Sequence, residues 1–398
     1  MRWHLLLEPG IGLAGRSPPG YSDRGRPACQ AKYHGHVNGE LLLGDNLAIL
    51  ERMQELRVDL VYLDPPFNSG AVYAQTGSRE AAFSDRWRWD VTAERSLTRL
   101  GQGAAESDPV PKALSALEIL LGRGPLLAYL VALAPRLAAA RRVLKDTGSL
   151  YLHCDPRSGP YLRVLLDAVF GPRGFRSEIV WRRNSAHSDG KQGHQLPGRV
   201  HDTILFYTKT SRWTWNPQYT PYDAVYIERF YRHVEPGTGR RYRLGDLTGP
   251  GGIANGNPQY DLFGVTRPWR YSPERMATLA ESGRIVQSRP GAVPCFKRYL
   301  DEMPGVPLQD VWADIRPVGA HGAERTGYPT QKPVALVERI IASSSHPEDL
   351  VLDPFCGSGT TLVAAERLGR RWIGIDSSPA AVAIARARLE AVRPPGSN

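Results

Sequence analysis

The sequence predicts an α/β fold: a doubly wound, mostly parallel sheet covered by helices on both faces, with an irregular module inserted. Three features predict it. Strand-like and helix-like runs alternate over residues 38–210 and again over 326–392. Each of these halves holds an apolar run that ends in an Asp-Pro turn, LVYLDPPF and LVLDPF. Between them, residues 211–325 lose both periodicities and fill with Trp, Tyr, Gly, Pro and Arg.

In chain order, residues 1–37 are rich in Gly, Pro and Arg without periodicity and read as a loose tail. ELLLGDN reads as a strand ending in a polar turn, LAILERMQEL as a helix and VDLVYLD as a second strand. That βαβ unit should place its two strands parallel and adjacent. Residues 71–125, containing FSDRWRWD, read as a partly helical insertion. LLAYLVALAPRLAAARRVLKDTG follows as a helix with a Gly stop, SLYLHCD as a strand, and YLRVLLDAVFG as a helix again ended by Gly. EIVWRRN and DTILFYTK are further strands. After the 211–325 module, TQKPVALVERIIASSS is a helix, LVLDPFCGSGT a strand and glycine turn, and TLVAAERLG a helix. RWIGID is a strand, SPAAVAIARARLEAV the last helix, and residues 393–398 a tail.

At 398 residues the chain can build two or three domains. Its 50 Lys and Arg against 40 Asp and Glu favour a polyanionic partner, nucleic acid being the commonest. The four cysteines, Cys29, Cys154, Cys295 and Cys356, are scattered without a CxxC pair, which fits a reducing cytoplasm and suggests neither disulfides nor a zinc site. No run is long enough for a membrane span. His153 reads as structural, and the spaced His187, His194 and His201 do not suggest a ligand set, so no metal is expected.

The stretch Asp64-Pro65-Pro66-Phe67 is, taken alone, an ordinary end to a buried strand, since proline cannot donate to a ladder. The second turn changes its weight. In LVLDPFCGSGT the glycines let backbone approach a ligand, and Asp376 lies about twenty residues on, where an acidic group can grip ribose hydroxyls. The third glycine of a dinucleotide fingerprint is missing and no Gly-Lys-Ser/Thr follows, so a nucleoside without phosphates suits the turn best. Cys356 reads as a small turn residue rather than a nucleophile.

DPFCGSGT with a downstream IGID resembles the S-adenosylmethionine site of DNA methyltransferases, and DPPF resembles their amino-methylating motif. The DPPF half comes first, which resembles the circularly permuted β group of DNA amino-methyltransferases acting on adenine N6 or cytosine N4. The resemblance covers residues 38–210 and 326–392 and implies a Rossmann-like methyltransferase domain completed by both ends of the chain. It implies a catalytic role for Asp64, Pro65, Pro66 and Phe67. It implies cofactor binding by Asp45, Lys332, Asp353, Phe355, Gly357, Gly359, Thr360 and Asp376, with 211–325 as the target-recognition region.

The chemistry agrees. An exocyclic amino nitrogen is a poor nucleophile because its lone pair is delocalised into the ring. A carboxylate and a carbonyl accepting its two N–H groups favour a pyramidal nitrogen, and Phe67 can stack on the extruded base. Beside such a site, the run 171–213, with eight Lys or Arg against three acids, reads as a phosphate-contacting strip, with Arg182, Arg183 and Lys191 as candidates. The expectation is therefore a cytoplasmic, site-specific DNA methyltransferase using S-adenosylmethionine on double-stranded DNA, with adenine N6 favoured over cytosine N4. A homodimer and a restriction endonuclease partner remain open, as does a role as the DNA-recognition subunit of a restriction complex. An RNA or protein methyltransferase fits less well, because those tend to carry Asn in place of Asp64.

Overall fold

The structure is a computed structural model that describes residues 39–74, 81–102, 105, 107–184, 195, 197–319 and 321–392. The two tails, Lys191, His187 and His194 lie outside the described residues. Among the described residues the central sheet has eight strands: β1 (Gly39–Leu43), β2 (Val58–Leu63), β3 (Leu144–Cys154), β4 (Phe175–Arg182), β5 (His201–Thr208), β6 (Val311–Trp312), β7 (Leu350–Asp353) and β8 (Arg371–Asp376). Their order is β1-β8-β7-β2-β3-β5-β4-β6. Every pairing is parallel except those of β5, which runs against both β3 and β4.

β2 shows why the sheet is covered on both sides. Val61 and Leu63 belong to one core cluster, while Leu60 and Tyr62 belong to another. A strand shows alternate residues to opposite faces, so an all-apolar strand needs two apolar layers. The first layer is built by α1 (Asn46–Arg52), α3 (Pro109–Leu121), α4 (Pro125–Val143) and α5 (Gly159–Phe170). The second is built by α6 (Val334–Ser344), α7 (Thr360–Arg367) and Leu389 of α8 (Pro379–Val392). Each fully buried Leu or Val in these layers contributes roughly 1.5–3 kcal/mol of transfer free energy. The insertion between β2 and α4 holds a small hairpin, Val72–Ala74 with Ala81–Ser84, then α2 (Val91–Gly101) and α3.

Two expectations are corrected. β1 and β2 are parallel but not adjacent, because β7 and β8 lie between them. β1 pairs instead with β8, where Gly39 lies so close to Trp372 that a Cβ would sit 2.3 Å from its ring. The second correction concerns LKDTG. α4 ends at Val143 and β3 begins at once, so Gly148 is no helix stop. Val58 pairs with Leu144 and Leu60 with Ser149, leaving 145–148 bulged opposite Asp59. Lys145 grips both Asp59 oxygens at 2.8 and 2.9 Å, and a Cβ on Gly148 would lie 2.7 Å from the Leu144 side chain.

The irregular region has a core of its own, Leu247, Trp269 and Met276, packed by Tyr260, Leu262, Tyr271 and Phe296. Around it lie a four-stranded antiparallel sheet (233–234, 241–246, 285–286 and 295–299), a hairpin (259–262 with 265–268) and the helix Pro273–Glu281. Its flanks belong to the main sheet. Trp215 stacks on Phe206 of β5, Asn216 bonds the last carbonyls of α6, and Val311–Trp312 forms β6.

Candidate active site

The parallel strands β1, β8, β7 and β2 all end at one edge of the sheet, and their turns line a cleft of about 750 Å3. A cleft outside the carboxyl ends of parallel strands is where this architecture binds ligands. Asp45, Asp64, Pro65, Pro66, Phe67, Lys332, Asp353, Phe355, Gly357, Thr360 and Asp376 all line it, so the structure gathers residues more than 300 positions apart. Gly359 does not line it.

The β7 turn is closed by its own segment. Asp353 is buried and accepts from Phe355 N at 2.9 Å and from the Thr361 hydroxyl. Burial pushes its carboxyl up to about 7 in spite of these bonds, and Asp64 and Asp376 add to the rise. Gly357 has φ +50° and donates to the Asp376 carboxylate at 2.9 Å, while Ser378 N donates to the other oxygen at 2.8 Å. Burial raises the Asp376 carboxyl against those bonds. Gly359, at φ +78°, faces α8, where a Cβ would lie 2.7 Å from Ala385 Cβ; its place is a helix contact. Burial pushes the Cys356 thiol up, which leaves no thiolate for nucleophilic attack.

Asp45 caps α1 through Leu47 N at 3.2 Å and pairs with Arg136 at 3.0 Å, with its carboxylate largely open to solvent. Asn46 ties this turn to the next, donating to Pro354 O at 2.7 Å and accepting from Arg136 at 2.6 Å.

The β2 turn is held from outside. Asp85, only 1 % exposed, accepts from the backbone N–H groups of Phe67, Asn68 and Ser69 at 3.1, 2.8 and 2.9 Å and from the Trp87 indole at 3.2 Å. This carboxylate pins the loop that carries Phe67. Below the ring lies the buried His153, stacked on Phe67 at 5.5 Å between centroids. One imidazole nitrogen meets the Tyr62 hydroxyl at 2.9 Å and the other Asp202 at 3.2 Å. Burial works against the Asp202 charge, yet His153, Lys332 and Arg183 hold its carboxyl below the usual range. Asp64 is met by Lys332, whose Nζ donates to both oxygens at 2.8 and 2.6 Å.

Arg182 ends β4 at the same sheet edge and Arg183 follows it, and neither lines the cleft. Arg182 donates to Ala313 O at 3.2 Å and Arg183 pairs with Asp202 at 3.2 Å. Asp85, Asn46 and Arg136 escaped the sequence reading, and His153, read there as structural, stacks on Phe67. FSDRWRWD carried the one usable hint, an acid between aromatics in an otherwise irregular insertion.

Five carboxyl groups (Asp45, Asp64, Asp85, Asp353 and Asp376) and two cations (Arg136 and Lys332) line the cleft among the described residues, and with Asp353 protonated up to about pH 7 acids still outnumber cations, in a chain of net charge +10. An acidic cleft of this kind repels a polyphosphate and suits a cationic, nucleoside-sized ligand.

A family model described as DNA methylase (N6_N4_Mtase) matches residues 58–387. Among curated proteins, the Type II methyltransferase M.EcaI of Enterobacter cloacae is 31% identical over 340 residues, 84% of this chain and 65% of that protein. The Type III restriction-modification enzyme StyLTI Mod subunit of Salmonella typhimurium is 26% identical over 82% of this chain and 49% of its own length. The DNA adenine methyltransferase YhdJ of Escherichia coli is 26% identical over 92% of this chain and 87% of its own. The chain thus spans just under two thirds of the first relative, about half of the second and most of the third.

Proposed function

Because the chain belongs to the N6/N4 DNA methylase family, we propose that it transfers a methyl group from S-adenosylmethionine to an exocyclic amino group in DNA, adenine N6 before cytosine N4. The observation that carries this reading is the meeting of Asp64-Pro65-Pro66-Phe67 and the Asp353–Thr360 turn in one acidic cleft. The residues suit the cofactor. Gly357 approaches so closely that a Cβ would sit 3.3 Å from Tyr328, Asp45 offers an open carboxylate beside the turn, and the lining favours a cation without phosphates. When bound, S-adenosylmethionine supplies an electrophilic methyl group on a sulfonium.

The chain's own residues prepare the nucleophile. Asp64 accepts one amino N–H, which draws the nitrogen towards a pyramidal form and frees its lone pair. The locked φ of Pro65 and Pro66 aims the backbone carbonyls towards the second N–H. Phe67 offers the ring face opposite His153 to an extruded base, and Asp85 keeps that ring from drifting. Arg182, Arg183 and Lys191 are proposed as phosphate contacts, and the region with the Trp269 core as the reader of the target site.

A second reading, a modification subunit working with a separate restriction nuclease, rests on the similarity to the StyLTI Mod subunit. Expression in a methylation-free host, followed by single-molecule sequencing of its DNA, tests both. N6-methyladenine at one short motif is the expected result, and N4-methylcytosine would select the alternative base. A folded, cofactor-binding protein that leaves no methylated motif would contradict autonomous activity, and methylation that appears only with an added partner would support the second reading.

A further inference from the structure

Lys332 is bonded to the same two groups that the proposed function reserves for the target base. Its Nζ donates to both oxygens of Asp64, at 2.8 and 2.6 Å, and lies 4.9 Å from the centroid of the Phe67 ring. Phe67 already stacks on His153, so one ring face is taken and the base needs the other. A nitrogen donor that satisfies the Asp64 carboxylate and sits over Phe67 describes the exocyclic amino group in the reacting complex. The geometry points to Lys332 as an internal occupant of the amino-group site, one that closes the base pocket in the free enzyme and must withdraw before a base can enter. This inference rests on the proposed function and adds a gate to it.

The surroundings suit a side-chain gate rather than a moving loop. The segment 324–334 is fastened at several points: Gln331 accepts from Thr326 N at 2.9 Å and donates to Glu324 O at 2.7 Å, and Glu324 accepts from Val334 N at 3.0 Å. Thr330 holds φ +59°, a strained conformation for a β-branched residue, and turns its carbonyl to within 3.5 Å of Lys332 Nζ. That carbonyl gives the ammonium a resting partner once it leaves Asp64. Because the Lys332 side chain is only 9 % exposed, its charge gains little from water and stays committed to the carboxylate until a competitor arrives. The cost to the enzyme is a fraction of molecules closed to the base, which weakens apparent capture by that fraction.

The test uses a duplex carrying the motif that sequencing identifies, with the target base intact and 2-aminopurine beside it, whose fluorescence rises when the target leaves the stack. Lys332→Met keeps most of the stem and removes the ammonium. It should capture the extruded base at least about fivefold more tightly than the wild type, in line with a site freed of its occupant. Equal or weaker capture by Lys332→Met, with cofactor binding intact, would overturn the gate. A second measurement needs only the folded wild type. A protected lysine ammonium signal in 15N-resolved NMR, identified by its absence in Lys332→Arg, should disappear when the duplex is added. Its persistence while 2-aminopurine reports the target out of the stack would also overturn the gate. If the wild type methylates no DNA at all, the proposed function fails instead, and the two failures are told apart.

Discussion

At the end of β7, the turn from Asp353 to Thr360 is secured mostly by its own conformation and by the elements that follow it, through two positive-φ glycines, the Asp353–Thr361 bond and the Gly357–Asp376 bond, with Asn46 and the Lys332 carbonyl adding bonds from other segments. At the end of β2, the turn from Asp64 to Asn68 is secured by side chains from three separate segments. Asp85 comes from the insertion, His153 from β3, and Lys332 from a point 268 residues away. The first turn owes its shape chiefly to its own conformation, the second chiefly to the side chains around it. The proposed chemistry explains the contrast. A cofactor cradle needs close backbone approach, which glycine supplies locally, whereas a base pocket must hold a carboxylate and a ring in fixed relation and still admit a nucleotide.

Substitutions can break this contrast. The largest effect is expected at Gly359, where a side chain must adopt φ +78° and press on Ala385. Gly359→Val should cost on the order of 4 kcal/mol of folding stability, seen as a lowered denaturation midpoint. An unchanged midpoint would show that α8 yields easily and that the β7 turn is not self-secured.

Next comes Asp353. Its carboxyl holds a proton up to about pH 7 in the folded chain but releases it near 3.8 when unfolded. Its contribution is therefore fully present below about pH 4 and lost as pH rises towards 7, on the order of 4 kcal/mol in all. Asp353→Asn should remove that part of the slope in denaturant titrations across this range. A slope equal to the wild type would mean that the buried carboxyl titrates normally.

A smaller effect is expected at Asp85. Asp85→Asn presents an amide group where three backbone N–H donors converge, loosening the Phe67 loop by about 2 kcal/mol, or roughly thirtyfold in kcat/KM. The loss should fall on base capture and turnover and leave cofactor affinity alone. A parallel loss of cofactor affinity would show that the two turns are one unit.

The same contrast governs what the sequence reveals. The glycine turn, the all-apolar β2 run and the helix ending at Gly171 are local patterns, and they are legible. Partners distant in sequence are not. Nothing in GELLL states that its neighbour is RWIGID rather than VDLVYL; that choice is made by Gly39 fitting against Trp372 and by two C-terminal strands entering the middle of the sheet. LKDTG has the residues of a helix end, yet the Lys145–Asp59 pair and the tight packing of Gly148 make it a bulged strand. Asp85 stands unmarked within FSDRWRWD, and Lys332, which the resemblance assigns to the cofactor, is set by folding against Asp64 of DPPF.

The central claim is that Asp64 activates the nucleophile and does not hold the cofactor. Single-turnover methylation by Asp64→Ala, measured beside calorimetric binding of S-adenosylmethionine, tests it most directly. Methyl transfer should fall by at least about a hundredfold while cofactor affinity stays unchanged. Transfer at the wild-type rate, or a loss of cofactor binding that accounts for the whole defect, would contradict it.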